Sequence, residues 1–258
     1  MLIDTHCHLT DDRLAEEVDE IVASMRTDGL EALVTVGYDR ESSLKGAELA
    51  LKYDAVYCSV GIHPHDAVSA DTDAYAAFSE LATRHGKVVA IGEIGLDYFY
   101  DLSPRDVQQR AFAEQLELAH ECGLPVILHV RDAYEDSRKI LFDNRRYLDN
   151  GVLLHCYSGS AEMVKVFSAL DAYYAFGGAI TFKNAKHNLE ALRVVPRDRL
   201  LVETDSPYMT PVPYRGKTNF PKYVSLVAEK AAEVLETDRA EIEEITTKNA
   251  KTLFKRIK

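Results

Sequence analysis

The residues of this chain best suited to chemistry are histidines and carboxylates at the ends of apolar runs. The first run, Ile3-Asp4-Thr5-His6-Cys7-His8, reads as a buried strand. Side chains alternate along a strand, so Asp4, His6 and His8 share one face while Thr5 and Cys7 take the other. Two imidazoles about 7 Å apart on one face can ligate one metal ion or a closely spaced pair. Further apolar runs end in His63 and His65, in Glu93, in His129, in His155, and in Glu203 and Asp205. Each has a plain reading alone: a hydrogen-bonded rim histidine, a turn acid between Gly92 and Gly95, or a cap at Asp205 before Ser206-Pro207. An uncompensated imidazole or charge after an apolar run is costly, and the repetition on several strands is better explained by one shared site. His85, His120 and His187 fall on helices or in loops and receive no function.

Helices and strands alternate along the whole chain, as a common site requires. Apolar strands are expected near 3–8, 31–37, 55–62, 87–95, 125–130, 151–157, 173–180 and 200–205. Helical periodicity fills 11–28, 41–53, 73–85, 104–122, 133–147, 160–171 and 187–194, with two last helices over 221–236 and 238–254. Gly29 and Gly123 stand where glycine often ends a helix. Near-continuous apolar strands suit a parallel sheet covered on both faces. Eight such units in 258 residues predict one TIM-type (β/α)8 barrel domain over 1–258, with its active site at the C-terminal strand ends. An open doubly wound sheet is the alternative. The barrel is favoured because its first and last strands meet and both carry candidate ligands.

Composition narrows the function. The chain holds 42 acids against 30 bases, a net charge of −12, so no broad basic face for a phosphate backbone is expected. No run of about 20 apolar residues is present, so no membrane partner is expected. The metal strand begins directly after Met1, where a signal peptide would displace it, and the expected location is cytoplasmic. Cys7, Cys58, Cys122 and Cys156 show no CxxC spacing and read as reduced, mostly buried thiols rather than structural zinc ligands. No obligate protein partner is evident.

His6, His8, Glu93, His129, His155 and Asp205 suit two divalent ions such as Zn, Mn, Mg, Ni or Co, with Glu93 as the bridging carboxylate. The ligands carry about −2 against about +4 for the ions, so even with a bridging hydroxide the centre attracts an anionic, phosphate-like group. One layer above lie His65, Asp97, Arg131 and Tyr157, if strand alternation persists into the loops. Arg131 is suited to grip a phosphate, or else pairs with Asp132 or Glu135. Tyr157 is suited to hydrogen-bond a phosphate or stack on a base. Asp205 is also read as catalytic, orienting or deprotonating the attacking water.

Taken together, Asp4-Thr-His-Cys-His8, Gly61-Ile-His-Pro-His65, Gly92-Glu-Ile-Gly-Leu-Asp-Tyr98, His129-Val-Arg-Asp-Ala133, His155-Cys-Tyr-Ser-Gly159, Thr204-Asp-Ser-Pro-Tyr208 and Pro213-Tyr-Arg-Gly-Lys217 resemble the TatD family of metal-dependent deoxyribonucleases, within the amidohydrolase-like barrels. The resemblance implies the same six metal ligands, with Glu93 and Asp205 at the catalytic centre and His63, Arg131 and Tyr157 on the substrate side. It further implies phosphoester hydrolysis, typically 3′-to-5′ removal of nucleotides from DNA. Two departures touch the rim. Thr218-Asn219-Phe220-Pro221 stands where the family tends to show a basic residue and Asn-Glu-Pro, and Tyr157 stands where many relatives have Phe. These bear on substrate preference. The rival activities are hydrolysis of amides or cyclic amides, disfavoured because strand four offers no lysine to be carboxylated, and PHP-type phosphoester hydrolysis, disfavoured by the Gly92–Tyr98 segment. A barrel serving only as a binding module is the non-enzymatic alternative.

Overall fold

In the computed structural model, which describes residues 1–258, β1 (Leu2–Cys7), β2 (Leu30–Val36), β3 (Val56–Val60), β4 (Val88–Asp97), β5 (Val126–Arg131), β6 (Val152–Leu154), β7 (Tyr173–Phe176) and β8 (Leu200–Val202) form one parallel sheet in sequential order. The helices α1 (Val18–Ser24), α2 (Arg40–Lys52), α3 (Thr72–Arg84), α4 (Arg105–Cys122), α5 (Tyr134–Asp143), α6 (Ala161–Phe167), α7 (Lys186–Val194), α8 (Val224–Val234) and α9 (Arg239–Leu253) complete the chain. This is the (β/α)8 architecture.

Two apolar layers flank the sheet. The larger lies between strands and helices and includes Leu33, Phe78, Phe112, Leu128 and Phe167. The smaller gathers Ile3, Val34, Ile127, Leu153 and Leu201 with Leu253, Phe254 and Ile257 from the end of the chain. Along β5, β6 and β8 the period of two runs from Ile127, Leu153 and Leu201 to His129, His155 and Glu203, so the apolar set forms a floor beneath the ligand ends.

β8 closes on β1 at the functional end. A bridge pairs Cys7 with Ser206. The Asp205 N–H donates to the His6 carbonyl at 2.9 Å, and the His8 N–H to the Ser206 carbonyl at 2.7 Å. Beneath them the buried Asp4 carboxylate accepts from the Thr204 N–H at 2.9 Å and the Thr204 hydroxyl at 2.6 Å. The Thr5 hydroxyl and Cys7 thiol instead bond to the Val202 and Val34 carbonyls, as expected for the other face.

Several elements are shorter than periodicity predicts. β6, β7 and β8 stop at Leu154, Phe176 and Val202. Just beyond β6 and β8, Cys156 (φ 41°) and Asp205 (φ 56°) adopt the left-handed region and break the pleat where the polar side chains turn inward. The first helix starts only at Val18, after a 3-10 turn over Ala15–Glu17, and in the segment before it the Asp11 carboxylate accepts from the Arg13 backbone and side chain.

The glycines around Glu93 are required by space. A methyl group on Gly92 would lie 2.6 Å from Ile127 Cβ, and one on Gly95 (φ 137°) would lie 2.1 Å from the His129 carbonyl oxygen. Gly95→Ala should therefore lower the unfolding free energy by about 3 kcal/mol or more, read as a shifted urea midpoint. An unchanged midpoint would contradict the close packing of β4 on β5.

Candidate metal centre

Glu93, 4% exposed, sits at the centre of the barrel mouth. Its Oε2 lies 3.4 Å from His6 Nε2 and 3.8 Å from His8 Nε2. Its Oε1 lies 2.8 Å from both His129 Nδ1 and His155 Nε2, and 3.5 Å from His63 Nε2. Asp205 Oδ1 joins the first side, 3.4 Å from His8 Nε2 and 3.9 Å from His6 Nε2. Of three close clusters of histidine and carboxylate side chains, His6–His8–Glu93 and His63–Glu93–His129 share the Glu93 carboxylate, and His6–His155–Glu203 lies beside them.

The outer contacts of the rings fix which nitrogens can donate an electron pair. His8 Nδ1 lies 3.1 Å from the Val36 carbonyl, which can only accept, so Nδ1 carries the proton and Nε2 faces the site bare. His129 lies between two carboxylates, Nε2 3.0 Å from Asp97 Oδ2 and Nδ1 2.8 Å from Glu93 Oε1, so Asp97 would keep the Nε2 proton when a cation replaces the one on Nδ1. His63 is arranged the opposite way. Its Nδ1 accepts the His65 N–H at 3.1 Å, so in the neutral ring the inward Nε2 holds the proton. Burial pushes His63 down to about 4, so the neutral ring prevails at pH 7.

This donor set fits divalent metal. His6 Nε2 and His8 Nε2 face each other at 3.2 Å. His6 Nδ1, His155 Nδ1 and Glu203 Oε2 are buried without a hydrogen-bond partner; His155 Nδ1 is 3.3 Å from Glu203 Oε1 but misaligned. A cation offsets the crowding of bare nitrogens and carboxylates that hydrogen bonding alone leaves unmet. Burial raises the Glu93 acid, yet the charge of His155 and the hydrogen bonds from His129 and His155 hold it well below the carboxylate range, so it is ionised.

The site opens into a cavity of about 650 Å³. His63 and Arg131 line it, together with Tyr208 from the Thr204–Tyr208 motif and with Tyr38, Phe182, Asn184 and Asn188, which periodicity and motif spacing did not single out. Arg131 remains within β5, so alternation carries it into the mouth, and it makes no ion pair; Glu135 is taken by Arg138. Tyr157 is the correction. The left-handed Cys156 reverses the alternation, and the Tyr157 ring turns into the core at 1% exposure, against Tyr174 and Phe176, its hydroxyl donating to the Ser160 carbonyl. Glu203 gains a structural role, its Oε1 accepting the Cys156 N–H at 2.6 Å. Nothing in one strand's pattern marks that contact, because it joins β6 to β8.

The family profile described as TatD related DNase matches residues 3–255. The chain belongs to the TatD family. A Bacillus subtilis protein named as the uncharacterized metal-dependent hydrolase YabD is 44% identical over 99% of both chains. The Shigella flexneri TatD, named a 3′-5′ ssDNA/RNA exonuclease, is 33% identical over 98% of both. Among solved structures, the Escherichia coli TatD homologue YjjV superposes with a TM-score of 0.92 at 29% identity, covering 98% of each chain. No helix of the chain is long and apolar enough to cross a membrane.

Three outcomes are expected for this TatD family member. A divalent metal that binds only the folded chain should raise Tm by roughly 5–10 °C at a concentration about a hundred times Kd. Chelator should reverse the shift, and Glu93→Gln should abolish it. Burial lowers His129 and His155, but Asp97 and Glu93 raise the first, and Glu93 and Glu203 the second, so both bind protons above the usual histidine range. Protons then compete with metal, so the shift should grow as pH rises and fade toward acid. A shift that strengthens in acid would contradict the ligand set. Tyr157→Phe should leave kcat and KM within about twofold and cost about 1 kcal/mol of stability, the worth of one hydrogen bond; a large rise in KM would return Tyr157 to the substrate side.

Proposed function

We propose that this metal-dependent hydrolase cleaves phosphodiester bonds in DNA, removing nucleotides from a 3′ end with two divalent ions. His6, His8, Glu93 and Asp205 would hold one ion, and Glu93, His129 and His155 the other. The observation that carries the reading is the Glu93 carboxylate, with a separate histidine set on each oxygen. When bound, the ions supply activated water at neutral pH and charge to neutralise a phosphoryl group.

The remaining chemistry belongs to the chain. Asp205 has a side chain 14% exposed, so its carboxylate is in reach of a water that must be oriented or deprotonated. Burial raises the Asp205 acid, but contact with His8 and the charges of His155 and His6 hold it below its ordinary value, so the carboxylate is ionised and can accept a hydrogen bond from the water it orients. His63 presents an Nε2–H to an oxygen that gains charge. Arg131, free of any carboxylate, can pair with a non-bridging phosphate oxygen. The neighbouring histidine and acid groups make an anionic substrate the natural occupant only once metal is loaded, so binding and chemistry share the same requirement.

DNA is the substrate favoured here because the matching family profile is described as TatD related DNase, and the Shigella flexneri relative of similar length is named for single-stranded DNA and RNA. Asp205→Asn should reduce kcat for a single-stranded oligonucleotide by about 10²–10⁴-fold, measured by mononucleotide release in Mn or Mg. Cleavage of cyclic amides with inert oligonucleotides would overturn the phosphodiester assignment.

A further inference from the structure

The turn after β4 places two large aromatic side chains in solvent at the site's edge. Phe99 is 55% exposed and Tyr100 is 54% exposed. Their rings meet edge to face at 4.9 Å. The Arg131 guanidinium, which lines the cavity, lies 4.0 Å from the Phe99 ring centroid and 4.8 Å from that of Tyr100. Tyr100 also lies 5.4 Å from the His65 ring, which stands 6.2 Å from the ligand-bearing His129 ring.

This turn is built rather than loose. Asp97 Oδ1 accepts the Phe99 N–H at 3.0 Å and the Tyr100 N–H at 2.8 Å, while Oδ2 lies 3.0 Å from both His65 Nε2 and His129 Nε2. Gln108 clasps the Asp97 backbone, donating to its carbonyl and accepting its N–H. One buried carboxylate thus fixes the aromatic turn and a candidate metal ligand together. Exposed aromatic rings gain nothing from water, and a protein of net charge −12 has placed an unpaired arginine beside them. Aromatic faces backed by a guanidinium are the chemistry that receives unstacked nucleobases.

We propose that Phe99 and Tyr100, backed by Arg131, form a stacking platform for the bases of a single strand entering the mouth. The inference rests on the phosphodiesterase reading above and adds to it a specificity element. Bases in a duplex are already stacked and paired, so the platform favours single-stranded ends or ends that fray.

The test compares oligothymidylate with a strand of equal length carrying abasic residues near its 3′ end, on wild type and on Phe99→Ala/Tyr100→Ala, in Mn. Loss of the bases should raise the wild-type KM by about ten- to a hundredfold, with a smaller change in kcat. The double variant should already show the raised KM on the intact strand and no further rise on the abasic one. Phe99→Leu/Tyr100→Leu, which keeps apolar bulk but removes the rings, should behave as the alanine pair does; full rescue would overturn ring stacking. Base dependence retained in the alanine variant, or absent from wild type, would overturn the platform. Wild-type hydrolysis of bis(p-nitrophenyl) phosphate separates the two readings: turnover without base dependence removes only the platform, and no turnover removes the phosphodiesterase on which it rests.

Discussion

Glu93 carries the constraint on which the rest of the structure depends. A single carboxylate, 4% exposed, has imidazole nitrogens on both of its oxygens. Such a group is tolerable only if everything around it is placed to offset charge, and the barrel is arranged accordingly. Gly92 and Gly95 let β4 lie directly against β5 on either side of it. Asp97, four residues on, holds His129 from behind. The crowding that remains, with His6 and His8 presenting nitrogens to each other, is what a divalent cation relieves.

The same logic explains why the sheet closes where it does. β8 is only three residues long, and its continuation past Val202 is held to β1 by Asp4 and by backbone bonds at His6 and His8. Those bonds bring Asp205 beside the first histidine pair. The seam of the barrel and the His6–His8 side of the candidate metal centre are therefore one construction. A change that loosens the Asp4–Thr204 clasp acts on ligand geometry as well as on stability.

Much of this was legible in the sequence because period two survives along most strands. It carried Ile127 to His129 to Arg131, and Leu153 to His155. It failed one step later at Tyr157, since no pattern announces that Cys156 adopts a left-handed backbone. The short β6, β7 and β8 were overestimated for a related reason: apolar composition continues past the point where the pleat ends. The tautomers of His8, His63 and His129 were not legible at all. They depend on a carbonyl, an N–H and a carboxylate that only folding brings into place. The platform at Phe99 and Tyr100 was equally silent, because exposure is a property of the assembled mouth.

The measurement that tests the account most directly is anomalous diffraction from crystals of the chain soaked in Mn or Zn, combined with metal analysis of the same protein. The account predicts two ions per chain, one on the His6–His8 side of Glu93 and one on the His129–His155 side. A fully loaded protein with a single ion, or with ions elsewhere, would contradict it.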